Sequence, residues 1–430
     1  MKLVVVGGGS TYTPELVDGL ARMRAALPVA ELVLADPDRE RLALVGGLAA
    51  RMLARAGHPG AVRTTTRLDE ALDGAAVVLL QLRVGGQAAR HVDETLPLAC
   101  GCVGQETTGA GGLAKALRTV PVVLDIAERV AARAPDAWIV DFTNPVGIVT
   151  RALLDAGHRA AGLCNVAIGV QRRTAALLGV PPERVRLGHA GLNHLTWVRS
   201  VHLDGEDGED GGGRDAGGDV LPRLLAEHPD ELAASASLPA SFLRRLGAVP
   251  SYYLHYFYEH DRVVEELRGS RSRAEQVADL ERDLLAAYAD PALDTKPERL
   301  SERGGAYYSE AAVQLVASLL GGTGDTQVVN VRNGGTFPFL APEAVIEVPA
   351  RITSSGPVPL PVPPMEPLYA GLIAHVSAYE ELALDAALRG GVDRVAKALL
   401  AHPLVGQLDV ADRLARDLVA ANRDHLPWAA

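Results

Sequence analysis

Through the first 170 residues, short apolar runs alternate with longer stretches whose apolar positions recur at helical spacing. Residues 3–6 are continuously apolar and pass directly into three glycines, the pattern of a strand buried on both faces that enters a tight turn. Residues 14–24 read as a helix with proline in its first turn, residues 32–35 as a second strand ending at Asp36, and residues 40–56 as a second helix. A strand at 77–82, a long helix at 113–134 and a further strand at 138–142 continue the alternation. The pattern predicts an α/β fold: a Rossmann-type, doubly wound parallel sheet over residues 1–170.

From residue 171 onward the rhythm changes, which predicts a mixed α+β domain over 171–430. Residues 186–203 read as strands, 220–320 as helices, 345–348 as a strand, 357–364 as a proline-rich connector, and 368–421 as helices again. Between them, residues 204–219 are almost wholly Gly, Asp and Glu, which cannot bury a face and predict a mobile surface loop.

Composition narrows the function classes. The chain has 430 residues, 48% of them hydrophobic, and a formal net charge of −11. That charge argues against nucleic-acid partners and anionic membrane surfaces, both of which need a basic footprint. A small anionic substrate stays open, because a local cluster of cations can override the global sign. Lysines are confined to Lys2, Lys115, Lys296 and Lys397, so an anion clamp here is expected to be built from arginine. Three cysteines make no disulfide framework for a chain of this size, and no stretch approaches the roughly 20 apolar residues a membrane span needs. Both point to a cytoplasmic protein.

Gly7-x-Gly9 after a strand is the front of a dinucleotide fingerprint, and Asp36, ending the second strand, can accept hydrogen bonds from a ribose diol. The turn residues Gly7, Gly9, Ser10, Thr11 and Tyr12, with Asp36, are therefore read as contacts of NAD; the acid disfavours the 2′-phosphate of NADP. Tyr12 stands where the third glycine is expected. Cys164 and His194 pair a soft thiolate with an imidazole, a set suited to a divalent transition metal with open positions for substrate.

Seven motifs in order then carry a resemblance: Gly-Gly-Gly-Ser-Thr-Tyr-Thr-Pro-Glu (7–15), Arg-Val-Gly-Gly (83–86), Gly-Gln-Glu-Thr (104–107), Phe-Thr-Asn-Pro (142–145), Cys-Asn-Val (164–166), Gly-Leu-Asn-His (191–194) and Tyr-Tyr-Leu (252–254). Together they resemble glycoside hydrolase family 4, and the Cys-Asn-Val form looks like its 6-phospho-β-glucosidases. Members of that family do not hydrolyse their substrates with a pair of carboxylates. The resemblance implies a glycosidase that uses NAD and Mn2+, or another divalent transition metal, held by Cys164 and His194. Carbon 3 of the sugar is oxidised with NAD, carbon 2 loses its proton, the aglycone leaves carbon 1, water adds, and the hydride returns.

In that scheme Tyr253 is the base and Glu106 the carboxylate that raises its basicity. Asn165 stands where α-acting members carry an acid; it cannot protonate a leaving group, so that acid is unassigned. Arg90, Asn144 and Arg273 fall on substrate-contact positions, with Arg83 and Arg303 as further candidates for a 6-phosphate pocket. The implied substrate is a phosphorylated disaccharide or aryl glycoside, and the implied assembly a homodimer or homotetramer. Alternatives are an α-galactosidase, α-glucuronidase or 6-phospho-α-glucosidase of the same family, and, outside it, a 2-hydroxy-acid dehydrogenase.

Overall fold

The computed structural model describes residues 1–204, 218–305 and 307–429. The loop expected at 204–219 thus lies, from 205 to 217, outside the described residues. The strands are β1 (Lys2–Val6), β2 (Glu31–Ala35), β3 (Ala61–Thr65), β4 (Val77–Leu80), β5 (Trp138–Asp141), β6 (Ala160–Gly162), β7 (Val185–Leu192), β8 (Leu195–Leu203), β9 (Val249–Pro250), β10 (Thr326–Arg332), β11 (Val345–Thr353) and β12 (Gly356–Pro359).

The first six strands are all parallel and lie in the order β3-β2-β1-β4-β5-β6, the doubly wound Rossmann arrangement. β1, β2, β4 and β5 are apolar and buried because helices cover both faces, and full burial of each Val or Leu contributes about 1.5–3 kcal/mol. The order reverses between β1 and β4, which opens a crevice beyond their carboxyl ends. The turns after β1 and β4 both run into this crevice.

Beyond β6 the same sheet continues through β10, β11, β7, β8 and β9 with antiparallel neighbours. One main core extends from Leu3 to Leu426, and a smaller one packs β7–β9 against the helices Leu221–Glu227 and Ala240–Leu246. The helical reading of 220–320 holds apart from the two-residue strand β9. One expectation is corrected: the proline-rich segment is not wholly a connector, since Gly356–Pro359 pairs with β11 as β12. It lies off the main strand path at a margin, where proline costs no ladder bond.

Candidate active site

β1 ends at Val6 and the chain turns at Gly7, with φ +86°; a Cβ there would sit 2.6 Å from the Gln81 carbonyl oxygen. Gly9 N–H donates to Asp36 Oδ2 at 3.1 Å, and the Gly9 carbonyl accepts from Arg41 Nε at 3.0 Å, so turn and carboxylate form one unit. Tyr12 is the N-cap of the helix Thr13–Arg22 but gives no side-chain cap, so the start of the helix opens onto the turn, with Glu15 the one acid in its first turn. Its hydroxyl donates instead to the Gly305 carbonyl. Thr11 is buried, its Oγ1 held by Arg303 Nε at 2.8 Å and by Glu281 Oε1 at 3.3 Å. Arg303 therefore rests against the glycine-rich turn.

Next to this turn, Glu106 is surrounded by three cations. Arg83 donates to both its oxygens, Arg90 Nη2 lies 3.2 Å from Oε1, and Lys115 Nζ lies 2.6 Å from Oε2. Burial alone would raise this carboxyl, but Lys115, Arg83 and Arg90 outweigh it and hold it well below the usual range. Burial also pushes Lys115 down to about 8, against the pull of Glu106. Arg90 also pairs with Glu94, so three cations face two carboxylates and the cluster keeps net positive charge. Arg303 feels Arg83 and Arg90 as like charges, so the three guanidinium groups share one neighbourhood.

His194 is the second residue of the two-residue connection between β7 and β8, where Leu192 pairs with Leu195. It has φ +63°, a conformation costly for a residue with a side chain and concentrated at functional sites. Gly191 is required three residues earlier, since a Cβ would meet the Leu195 carbonyl oxygen at 2.0 Å. The tautomer of His194 follows from its neighbours. Thr107 Oγ1 donates to Gln105 Oε1 at 2.8 Å, so towards His194 Nδ1, 3.0 Å away, it accepts. Nδ1 then carries the hydrogen and Nε2 the lone pair a metal needs. Burial pushes His194 down to about 4, so the ring is neutral at pH 7.

The Tyr253 ring stacks on this imidazole, with centroids 3.6 Å apart and planes 7° from parallel. Burial, then the nearby Cys164 and Glu106, push its phenol above the ordinary value, and Arg90 pulls it back. Cys164 is buried at the N-cap of the helix Asn165–Leu178. Burial and then Glu347 raise its thiol, whereas the Val166 backbone N–H, the Asn193 amide and the Tyr308 hydroxyl draw it back down. Cys164, His194 and Tyr253 thus converge. Among the described residues no further His, Cys, Asp or Glu completes a three-ligand metal group.

The remaining expected residues separate. Arg90 is bound between Glu94 and Glu106. Asn144 Oδ1 is buried with no protein partner, and Asn165 directly follows Cys164. Arg273 is exposed at the start of the helix Arg273–Tyr288, where it donates to the Glu302 carbonyl at 2.5 Å, one residue before Arg303. Lys115, Gln105, Thr107 and Tyr308 were not singled out in advance. Lys115 carries a signal, a lysine between apolar residues over 113–117, and Gln105 and Thr107 lie within the Gly-Gln-Glu-Thr motif; Tyr308 carries none.

A family model described as "Family 4 glycosyl hydrolase" matches residues 2–180, and the model of that family's C-terminal domain matches 189–405. The chain is 38% identical to the probable 6-phospho-β-glucosidase of Bacillus subtilis over 99% of this chain and 97% of that one. It is 35% identical to the 6-phospho-β-glucosidase of Escherichia coli, over 99% and 96%. Its structure is similar to that of the 6-phospho-β-glucosidase of Thermotoga maritima with manganese, NAD+ and glucose-6-phosphate: TM-score 0.88, 30% identity, 99% of each chain.

Proposed function

This chain belongs to the family 4 glycosyl hydrolases, and from that premise we propose that it hydrolyses 6-phospho-β-glucosides with NAD and a divalent metal, Mn2+ foremost, as resident groups. The observation that carries the reading is the stack of Tyr253 on His194 within electrostatic reach of Cys164, which sets a proton acceptor beside a metal-binding pair. The residues fit both groups. The glycine-rich turn, the uncapped helix start and Asp36 suit a pyrophosphate and a ribose diol. Neutral His194 with Nε2 available and a sulfur whose thiol is drawn down by neighbouring donors suit a borderline-soft divalent ion, with open positions left to the sugar hydroxyls. When bound, NAD supplies a reversible two-electron acceptor for the carbon 3 hydride, and the metal a Lewis acid for charge on the sugar oxygens.

Tyr253 takes the proton from carbon 2, and His194 fixes the plane of its ring. Glu106 lends negative charge to Tyr253 and is itself pinned by Arg83, Arg90 and Lys115. Asn144, with its unpartnered oxygen, and Arg90 contact the sugar. Arg303 and Arg273, joined through residue 302, face its phosphate, where guanidinium forks suit a dianion. Asn165 supports the β-linkage, since the site then carries no acid beside Cys164. We further read the chain as an N-terminal NAD domain to residue 170 and a C-terminal substrate and metal domain, a division supported by the change to antiparallel pairing after β6. A cytoplasmic homodimer or homotetramer completes the proposal; no described helix is long and apolar enough to cross a membrane.

A panel of nitrophenyl α- and β-glycosides, with and without 6-phosphate and in the presence of NAD+ and Mn2+, tests the reading. Turnover of only the 6-phospho-β-glucoside is expected, and preference for an unphosphorylated or α-linked member would replace it. Arg273→Ala should raise KM for the phosphorylated substrate on the order of tenfold, the lower end for a lost charge-assisted bond at an exposed site, and leave kcat nearly unchanged. Equal losses with an unphosphorylated glycoside would assign Arg273 to structure instead.

A further inference from the structure

Behind the metal-binding pair lies a carboxylate that the mechanism above does not use. Glu347 on β11 is 1% exposed. Its Oε1 accepts from His189 Nε2 at 2.9 Å, and its Oε2 accepts from Asn193 Nδ2 at 2.9 Å and Asn330 Nδ2 at 3.0 Å. Among the described residues no lysine or arginine pairs with it. Its position is set by the sheet: Gly162, Asn330, Glu347 and Gly191 are paired in one row across β6, β10, β11 and β7. β6 leads within two residues to Cys164, and β7 within three to His194. The row thus places Glu347 between the two segments that carry the metal-binding residues, and both Cys164 and His194 feel its charge.

Its one ionisable partner, His189, carries charge only when protonated, so unlike Glu106 this carboxylate has no permanent cation, and burying it so costs several kcal/mol that the fold needs a reason to meet. Charge balance supplies one: a divalent ion with one thiolate leaves one positive charge, which Glu347 neutralises. Amide geometry supplies a second. An ionised carboxylate only accepts, so the NH2 end of Asn193 must face it. One N–H is spent on Glu347 at 2.9 Å, which leaves the other to face the Cys164 sulfur, whose thiol this amide draws down. A flipped amide would set oxygen against both anions. We propose that Glu347 is the counter-anion and positioning residue of the metal centre, locking the Asn193 amide so that it donates to Cys164. Orienting partners of this kind typically set metal affinity by 10–100-fold.

The inference rests on the metal reading above, and Co2+ separates the two. Apo protein titrated with Co2+ alone should show a thiolate-to-cobalt charge-transfer band. Glu347→Gln should weaken Co2+ binding about 10–100-fold and shift that band, with NAD binding unchanged. Asn193→Ala, in an inter-strand turn, should do the same and serves where the glutamine variant does not fold. The double variant should lose less than the product of the two single losses, because both act on one sulfur. A wild-type protein without the band would remove the metal reading and this inference with it. A wild-type band that persists with unchanged affinity in the folded variants would overturn the inference alone.

Discussion

Tyr253→Phe is expected to cut turnover by roughly 100-fold or more, the scale of a lost general base, while folding, NAD binding and metal binding persist. The substitution removes one hydroxyl and keeps the ring that stacks on His194 at 3.6 Å. The phenol starts from an unfavourable position, because burial, with Cys164 and Glu106 nearby, pushes it above its ordinary value of about 10. Only added positive charge, from a bound divalent ion or the oxidised nicotinamide, can bring it into the working range. The chemistry is read directly by running the wild-type reaction in heavy water: proton removal at carbon 2 leaves deuterium there in the product, whereas displacement by paired carboxylates leaves that carbon untouched. Unlabelled product would defeat the elimination mechanism, and a fully active phenylalanine variant would take the base role from Tyr253.

Cys164→Ser should abolish metal-dependent turnover, with a loss of comparable size, because it exchanges a soft sulfur for a weak oxygen donor and leaves His194 alone. Chelation of the wild type should give the same result. The pH dependence assigns the proton. His194, pushed down to about 4 by burial, is already neutral at pH 7 and adds to the slope only below that value. The Cys164 thiol, raised by burial and Glu347, still holds its proton. Metal binding must release that proton, so wild-type affinity should rise with pH by about tenfold per unit across pH 6–8. The serine variant should show no such slope. A flat wild-type profile, or a serine variant fully active without metal, would remove Cys164 from the centre.

Much of the frame was written locally. A strand buried on both faces must be continuously apolar, so β1, β2, β4 and β5 could be read from residues 3–6, 32–35, 77–82 and 138–142. β3 escaped because it is an edge strand with polar, exposed positions, and β6 because three small residues carry no periodicity. β12 was hidden by its prolines, which a marginal strand tolerates. The glycine-rich turn and Asp36 were legible because a fingerprint is a local constraint on the backbone.

The site itself divides along the same line. Residue chemistry offered Cys164 and His194 as a metal-binding pair, since donor chemistry belongs to the side chain, and the resemblance of the ordered motifs to family 4 supplied Tyr253 and Glu106. What each does in place is a property of neighbours far away in sequence. Thr107 and Gln105 choose the tautomer of His194 from 87 or more residues away, and three cations clamp Glu106. Arg273 and Arg303 look alike as arginines beside polar residues, yet one is exposed at a helix start and the other lies against Thr11. Glu347, a lone charge in the apolar run 345–348, gave no more than the signal Lys115 gave, and its partners appear only when the sheet register sets it beside Gly191 and Asn330. Sequence determined which strands the sheet would bury and which donors were available, because those depend on local polarity and chemistry. Only the tertiary structure decided protonation state, orientation and charge balance, because those depend on burial and on distances between segments that the chain keeps far apart.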